Sequence, residues 1–413
     1  MSGKSNLLVV GDYNRREYID MFLKSKEDFN FFFLEFSSKK EVTSYYYKTY
    51  GSALFWSDYQ NVYNLLEQIK PKKVLFLFIE SYYHVVLNLA CKSLNIPTYL
   101  IDHGVRDVNI NLRFEKSFIA QKSFTSQLDA TKKFTHLFSR IRTRLFLIRS
   151  IRLLPSPYAS FFQQYYTVRR NNHFLETWKK VTSPLRMAEA YISFSPKVYE
   201  VHVHYDHLPQ DKKVHFIGFP GYDHLAGLKL ASNNKKQIIF LDQGLVPRRF
   251  FNWNEKNYRK FVETFASICN RYGYQLLVKL HPVQPESDKN LWTSFDNVKL
   301  IDNEELTSHL PHTNLIIGFF STYLLPLMAL PFTTVVTLEN HPMGKIDVSK
   351  SFIDAGVAEP VYDLEELHSI LQNIKTLHQK QLPHKAKFIE EWMYKFDGKA
   401  GERLREILLS DDL

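Results

Sequence analysis

Three short segments of the 413-residue chain place chemistry-bearing side chains at the ends of apolar runs: Asp242-Gln243-Gly244, Lys279-Leu280-His281-Pro282 and Gly318-Phe319-Phe320-Ser321-Thr322. Asp242 is a carboxylate with a glycine two residues on, so a substrate can approach it closely. It can act as a general base or a nucleophile, or simply as a turn residue. His281 precedes Pro282, which disfavours helical backbone there and aims the imidazole. Such a ring can donate to a phosphate oxygen or protonate a leaving group, or bond a neighbouring carbonyl. Lys279 lies on the same strand face as His281. Ser321-Thr322 opens an expected helix, Tyr323–Leu330, whose free amides and dipole, with two hydroxyls, suit an anion or an ordinary N-cap. A base, a cation or acid, and an anion-binding turn are the set needed to move a group off an activated phosphate.

The elements that must position these groups are legible as short apolar runs alternating with helical stretches, the pattern of βαβ units and parallel sheets. Strands are expected at Asn6–Val10, Lys73–Ile79 and Thr98–Ile101. After Val201 they resume at Val214–Ile217, Gln237–Leu241, Gln275–Leu280, Val298–Ile301 and Leu315–Phe320, and Thr333–Leu338 is the last. Helices are expected after Lys73–Ile79 through Leu94, at Tyr258–Tyr272, Glu304–His309, Leu364–Leu377 and Lys385–Leu409. The stretch from about 118 to 201, rich in Phe, Tyr and Arg, reads as helical. The fold class is α/β with two Rossmann-like domains and a helical basic insertion in the first half. The expected spans are 1–213, 214–390 and a C-terminal helix at 391–413 that packs back on the first domain. Doubly wound sheets bind ligands outside the carboxyl ends of their strands, where all three segments lie.

In order and strand context, Asp242-Gln243-Gly244, His281-Pro282 and Ser321-Thr322 resemble the motifs of bacterial sialyltransferases: an acidic pair plus Gly, a His-Pro pair, and a Ser-Ser/Thr pair. Lipooligosaccharide sialyltransferases, capsular polysialyltransferases and Kdo transferases are similar in this respect. The resemblance covers about Val214 to Leu338. It implies a glycosyltransferase B fold, two domains facing a cleft with the donor held mainly by the second. The donor would be a CMP-activated 2-keto sugar acid, a sialic-acid-like nonulosonate or Kdo. The acceptor would be a bacterial surface glycan or glycolipid: lipopolysaccharide, lipooligosaccharide or capsule. By the same resemblance Asp242 is the acidic catalytic residue and His281 contacts the CMP phosphate and assists its departure. Ser321 and Thr322 bind that phosphate, and Gln243, Gly244, Lys279, Pro282 and Gly318 line the donor site. Gln243 departs from the pattern, standing where the second acid would be. Inversion and retention both stay open.

In the first half, Asp12, Glu80, Asp102, His103 and Arg106 follow strands. Asp102-His103-Gly104-Val105-Arg106 resembles the His-Gly turn of related polysaccharide transferases, which implies an acceptor-side role for His103 and Arg106, with a charged turn as the alternative; Glu80, at another strand end, is a further acceptor-side candidate. Glu176 is the first acid after a basic tract. His341-Pro342, a second His-Pro pair, reads as a loop. No spacing suits a metal and no Gly-rich phosphate loop is present, so a metal-independent enzyme with no cofactor beyond its CMP-sugar substrate is expected.

Composition excludes other classes. With 45% hydrophobic and 15% aromatic residues the chain builds large cores. Two cysteines, Cys91 and Cys269, make no disulfide scaffold and fit a reducing compartment. No apolar run approaches the ~18 residues of a membrane span, and Leu7–Val10 is too short for a signal peptide, so a cytoplasmic protein is expected. The net charge of +10 is concentrated: Ala130–Leu175 holds no acid and nine cations, among them Lys132, Lys133, Arg142, Arg149 and Arg152. Leu145, Ile148 and Ile151 offer an apolar face beside those arginines. That pattern suits the anionic inner face of the cytoplasmic membrane, or a partly buried helix with one solvated face. Two rival functions are a CDP-polyol phosphotransferase of related fold and a basic nucleic-acid binder. No nucleic-acid motif is present, and no nucleic-acid partner is expected.

Overall fold

The computed structural model describes residues 4–108, 137–232 and 235–411. The chain divides into two units, Met1–Asp223 with Lys399–Leu413, and His224–Gly398.

The first unit is built on seven parallel strands: β1 (Ser5–Val10), β2 (Phe29–Leu34), β3 (Gly51–Leu54), β4 (Lys73–Phe76), β5 (Thr98–Ile101), β6 (Ala190–Ser193) and β7 (Val214–Phe216). They pair in the order β3-β2-β1-β4-β5-β6-β7. Most of β1 and all residues of β4, β5 and β6 are buried, because helices cover both faces of the sheet. Two strands went unanticipated, β2 and β3. A third, β6, interrupts the stretch expected to be helical up to residue 201. Elsewhere in that stretch the described residues form helices at Leu137–Leu153, Ser156–Asn171, Phe174–Lys180 and Pro196–Asp206, while 181–189 is not helical. The segment from Phe118 to residue 136, with Lys132 and Lys133, lies outside the described residues.

Two expected boundaries move. β7 pairs with β6 in register Tyr191↔Val214, so Val214 does not open the second domain. That unit runs from His224 to Gly398 rather than 214–390. The single helix expected over Lys385–Leu409 is broken. Lys385–Phe388 continues into a π turn at Ile389–Met393, Tyr394 turns left-handed with φ 63°, and a separate helix spans Ala400–Leu409. This last helix belongs to the first unit. Buried Lys73 Nζ donates to the carbonyls of Ile407 at 2.7 Å and Ser410 at 2.6 Å, satisfying groups a helix end leaves unpaired. Asp223 accepts from the amides of Ala400 at 2.9 Å and Gly401 at 2.8 Å at the other end.

The second unit holds β8 (Gln237–Leu241), β9 (Gln275–Lys279), β10 (Val298–Leu300), β11 (Leu315–Gly318), β12 (Thr334–Leu338), a hairpin of β13 (Asn340–His341) and β14 (Gly344–Lys345), and β15 (Glu359–Val361). Six of these form a parallel sheet in the order β10-β9-β8-β11-β12-β15. The edge strand β15 takes the place of β12 as the last one. The order reverses between β8 and β11, the switch point where doubly wound sheets hold ligands. Below that edge Phe240, Phe261, Phe265, Trp292 and Phe319 fill the core. Among the described residues no helix is long and apolar enough to cross a membrane.

Candidate functional site

The strands carrying the three segments are neighbours. Leu241 of β8 pairs with Lys279 of β9 on one side and Gly318 of β11 on the other. The chemistry-bearing residues that follow therefore leave one sheet edge side by side. Gly318 lets the strands close up: a Cβ there would meet the Leu241 carbonyl oxygen at 3.0 Å.

Asp242 is 5% exposed and is the hub of this edge. Its Oδ1 accepts from the amides of Gln243 at 2.5 Å and Gly244 at 3.1 Å. Its Oδ2 accepts from the Tyr258 hydroxyl and from Gln284 Nε2 at 2.8 Å. The Tyr258 oxygen in turn accepts from Gln284 Nε2 at 2.8 Å and Trp292 Nε1 at 2.9 Å. Burial lifts the Asp242 carboxyl above its ordinary range, against the pull of these hydrogen bonds. Four internal donors thus converge on one buried carboxylate. Gln243, with its amide oriented by its partners, donates to the Phe320 carbonyl and accepts from Arg248 Nη1, both at 3.1 Å. It links the β8 end to the β11 end and holds an exposed guanidinium there.

Gly244 has φ +63°, and a Cβ on it would lie 2.9 Å from Val283 Cγ2 and 3.3 Å from His281 Cβ. Backbone conformation and packing both call for glycine. His281 is half-buried. Its Nδ1 accepts from the Val283 amide at 3.3 Å, so the neutral ring carries its proton on Nε2. Its own amide donates to Gln284 Oε1 at 3.3 Å, so Gln284 ties His281 to Asp242. Pro282 is exposed on the same turn. Lys279 Nζ sits 5.1 Å from the centroid of the Tyr323 ring, joining the β9 end to the Ser321-Thr322 turn. Burial pushes the Lys279 ammonium below its ordinary range.

The Ser321-Thr322 turn differs from expectation. The helix after it is Leu324–Ala329, six residues with Pro326 inside, rather than Tyr323–Leu330. Ser321 Oγ accepts from the Tyr323 amide at 3.3 Å. Ser321 and Thr322 therefore precede the helix and its N-cap residue, Tyr323, rather than opening it. Among the described residues no group of His, Cys, Asp and Glu is placed to hold a metal ion.

The second His-Pro pair is more than a loop. His341 in β13 is 4% exposed, and its Nδ1 accepts from Trp253 Nε1 at 3.1 Å. Burial lowers its pKa to about 4.

In the first unit Glu80 and Arg106 line a cavity of about 390 Å³, with Trp178, Arg186, His202 and Asp206. His103 stands beside it, Nε2 3.3 Å from Arg106 Nη2. Burial, with Arg106 next, drives its pKa down to about 3, so the ring is neutral and accepts from the guanidinium. Asp102 is not exposed in the turn. It is 1% exposed and bonds His202 Nε2 at 2.7 Å, Ser193 Oγ at 2.5 Å and the Phe194 amide at 3.0 Å. Burial works against its charge, but His202 and Ser193 hold it below the carboxylate range. Arg186 Nη2 donates to Asp206 Oδ1 at 2.8 Å, and its guanidinium lies 5.1 Å from the Trp178 ring. Asp12 closes a local turn, accepting from the Asn14 amide at 3.1 Å. Glu176 pairs with Lys179 at 3.2 Å on the surface.

Sequence reasoning missed Tyr258, Gln284, Trp292 and Arg248 in the second unit, and Trp178, Arg186, His202 and Asp206 in the first. Apart from Arg248, five residues from Gln243, and His202, four residues from Asp206, their partners come from segments far apart in the chain, so no spacing marks them. Gln284, three residues after His281 in a turn, also carried a local signal.

The sequence model of the alpha-2,8-polysialyltransferase (POLYST) family matches residues 6–340. No curated protein matches the chain. Among solved structures the chain is similar to the glycotransferase of kitacinnamycin, at 10% identity and TM-score 0.52, covering 99% of this chain and 100% of that one. It is similar to the calicheamicin glycosyltransferase CalG4 at 10% identity and TM-score 0.51, covering 99% of each chain. The wall teichoic acid polymerase TagF aligns at 11% identity and TM-score 0.51, covering 97% of this chain and 88% of that one. At these identities the structures establish the fold, glycosyltransferase B, with its two Rossmann-like domains.

Proposed function

Because the chain belongs to the alpha-2,8-polysialyltransferase family and is a glycosyltransferase of the B fold, we propose that it moves a sialic-acid-type sugar from a CMP donor onto a growing surface glycan. The observation that carries this reading is the convergence of Lys279, His281, Ser321 and Thr322 at the carboxyl ends of three adjacent strands, at a switch point. These are cations and donors of the kind a departing nucleoside phosphate requires. In the reaction an acceptor hydroxyl oxygen bonds to the anomeric carbon while the bond from that carbon to the phosphate oxygen breaks, and the hydroxyl's proton passes to a phosphate oxygen of the departing CMP or to water. The electron pair leaves with CMP. Lys279 and the Nε2–H of His281 meet that charge, and the Ser321 and Thr322 hydroxyls donate to the remaining phosphate oxygens. Asp242 positions this edge through Gly244 and Gln284. Gln243, in place of a second acid, presents Arg248 instead, which suits the donor's carboxylate or phosphate. The cavity beside Glu80, His103 and Arg106 is the proposed acceptor pocket of the first unit. Charge stabilisation by side chains makes the reaction metal-independent.

The test is release of CMP from CMP-sialic acid and CMP-Kdo, with and without a sialylated oligosaccharide, in buffer containing a chelator. Acceptor-dependent release with the chelator present is expected. If CDP-glycerol is consumed and neither CMP-sugar is bound, the phosphotransferase reading replaces this one.

A further inference from the structure

The helix Leu137–Leu153 has two apolar faces, and the fold uses one of them. Thr143, Phe146, Leu147 and Ser150 are buried against the first unit. Ser150 Oγ accepts from the Val62 amide at 2.8 Å, and the Phe146 ring lies 5.5 Å from that of Trp56. The apolar face read from the sequence is not the docking face: Leu145 and Ile148 point outward, and only Ile151 among the three packs against the core. The outward residues form a stripe. Phe138, Ile141, Leu145 and Ile148, 84%, 48%, 41% and 38% exposed, recur at steps of three, four and three. At 100° per residue they cluster roughly opposite the buried stripe. Arg152 falls inside this outward arc, Arg142, Arg144 and Arg149 flank it within about 40°, Arg140 lies farther round, and all five are exposed. No acid occurs between Ala130 and Leu175 to neutralise them.

We propose that this outward face of the Leu137–Leu153 helix binds an anionic phospholipid bilayer. Phe138, Ile141, Leu145 and Ile148 enter the boundary between headgroups and acyl chains, and the arginines spread outward to lipid phosphates. Charge complementarity and the alternation of aliphatic with cationic residues select this occupant. A nucleic acid would satisfy the arginines but leave the aliphatic stripe facing water. Two copies of the chain meeting through this face would set arginines against arginines.

The test is flotation of the full-length protein with vesicles of phosphatidylcholine alone or mixed with phosphatidylglycerol. Binding to the mixed vesicles only, weakened at ~0.5 M salt, is expected. At about a fivefold factor per basic residue near an anionic surface, R142E/R149E/R152E binds at least about a hundredfold more weakly. I141S/L145S/I148S loses about tenfold or more through the apolar contribution. Both change exposed residues, so thermal melting and CMP-sugar turnover on a soluble acceptor stay unchanged. I148W supplies a readout that needs no loss of binding, a blue shift of its fluorescence on mixed vesicles. Equal binding to both vesicle types, unaltered binding of either triple variant, or absence of the blue shift overturns the proposal. So does oligonucleotide binding lost in R142E/R149E/R152E when vesicles are ignored.

Discussion

Replacing Asp242 with asparagine separates a positioning carboxylate from a proton-abstracting one. The amide keeps one oxygen for the Gln243 and Gly244 amides and turns its NH2 toward Tyr258 and Gln284, which are donors themselves. The Tyr258 oxygen already accepts from Gln284 and Trp292, so its proton loses its acceptor. Two hydrogen bonds to a charged group are lost, at about 1.5–3 kcal/mol each. Removing the charge returns part of this, because burial penalises the charged form. The net cost is about 2–4 kcal/mol, a fall of roughly 5–15 °C in melting temperature for a unit of this size. Activity falls alongside, because Gln284 also holds the His281 turn. Tyr258→Phe removes one of the two bonds and costs about half as much, and the double variant costs less than the sum, since the residues share one network. Differential scanning calorimetry and CMP-release kinetics on the three variants decide the matter. An asparagine variant that melts like wild type yet loses about 10³-fold or more in turnover would refute this reasoning and restore Asp242 as the general base.

Gly244→Ala is expected to cost about 1–2 kcal/mol for the left-handed backbone and to push the His281 ring aside, raising the Kd for CMP; calorimetric titration with CMP measures it. Lys279 has its pKa lowered by burial in the empty protein, and a bound phosphate raises it again. CMP binding therefore takes up a proton above that lowered pKa, and affinity falls as pH rises toward 10.5. Titrations in buffers of different ionisation enthalpy show the uptake, and Lys279→Met abolishes it. His341 has a folded pKa of about 4 against an ordinary 6.5, so its contribution is fully present above pH 6.5 and is lost as pH falls toward 4. That amounts to about 3 kcal/mol. Urea unfolding between pH 7 and 4 tracks the loss, and His341→Gln, which keeps an acceptor for Trp253, flattens the curve.

The strand-end segments were readable because their signals are local. Apolar runs of four to six residues ending in Asp-Gln-Gly, His-Pro or Ser-Thr declare both a buried parallel strand and its turn. Elements failed where the signal was short or shared. β7 has three residues, and nothing in them says which sheet they join. β3, Gly51–Leu54, is polar enough to pass for a loop. The helix after Ser321-Thr322 starts only at Leu324 and ends where Leu330 turns extended, a boundary set by backbone conformation rather than by the residue pattern at its start.

The sequence by itself determined the two runs of βα alternation, the residues standing at the strand ends, and the confinement of the excess charge to one acid-free tract. Those properties depend on composition, on period and on neighbours a few residues away. The tertiary structure alone decided that the helix expected to pack back on the first domain starts at Ala400 and is held at its ends by Asp223 and Lys73. It also gathered Asp242, Tyr258, Gln284 and Trp292 into one network, and it chose which apolar stripe of the basic helix is buried. Each of these depends on pairing between distant segments, where burial rewards one partner among several that the local pattern leaves equivalent.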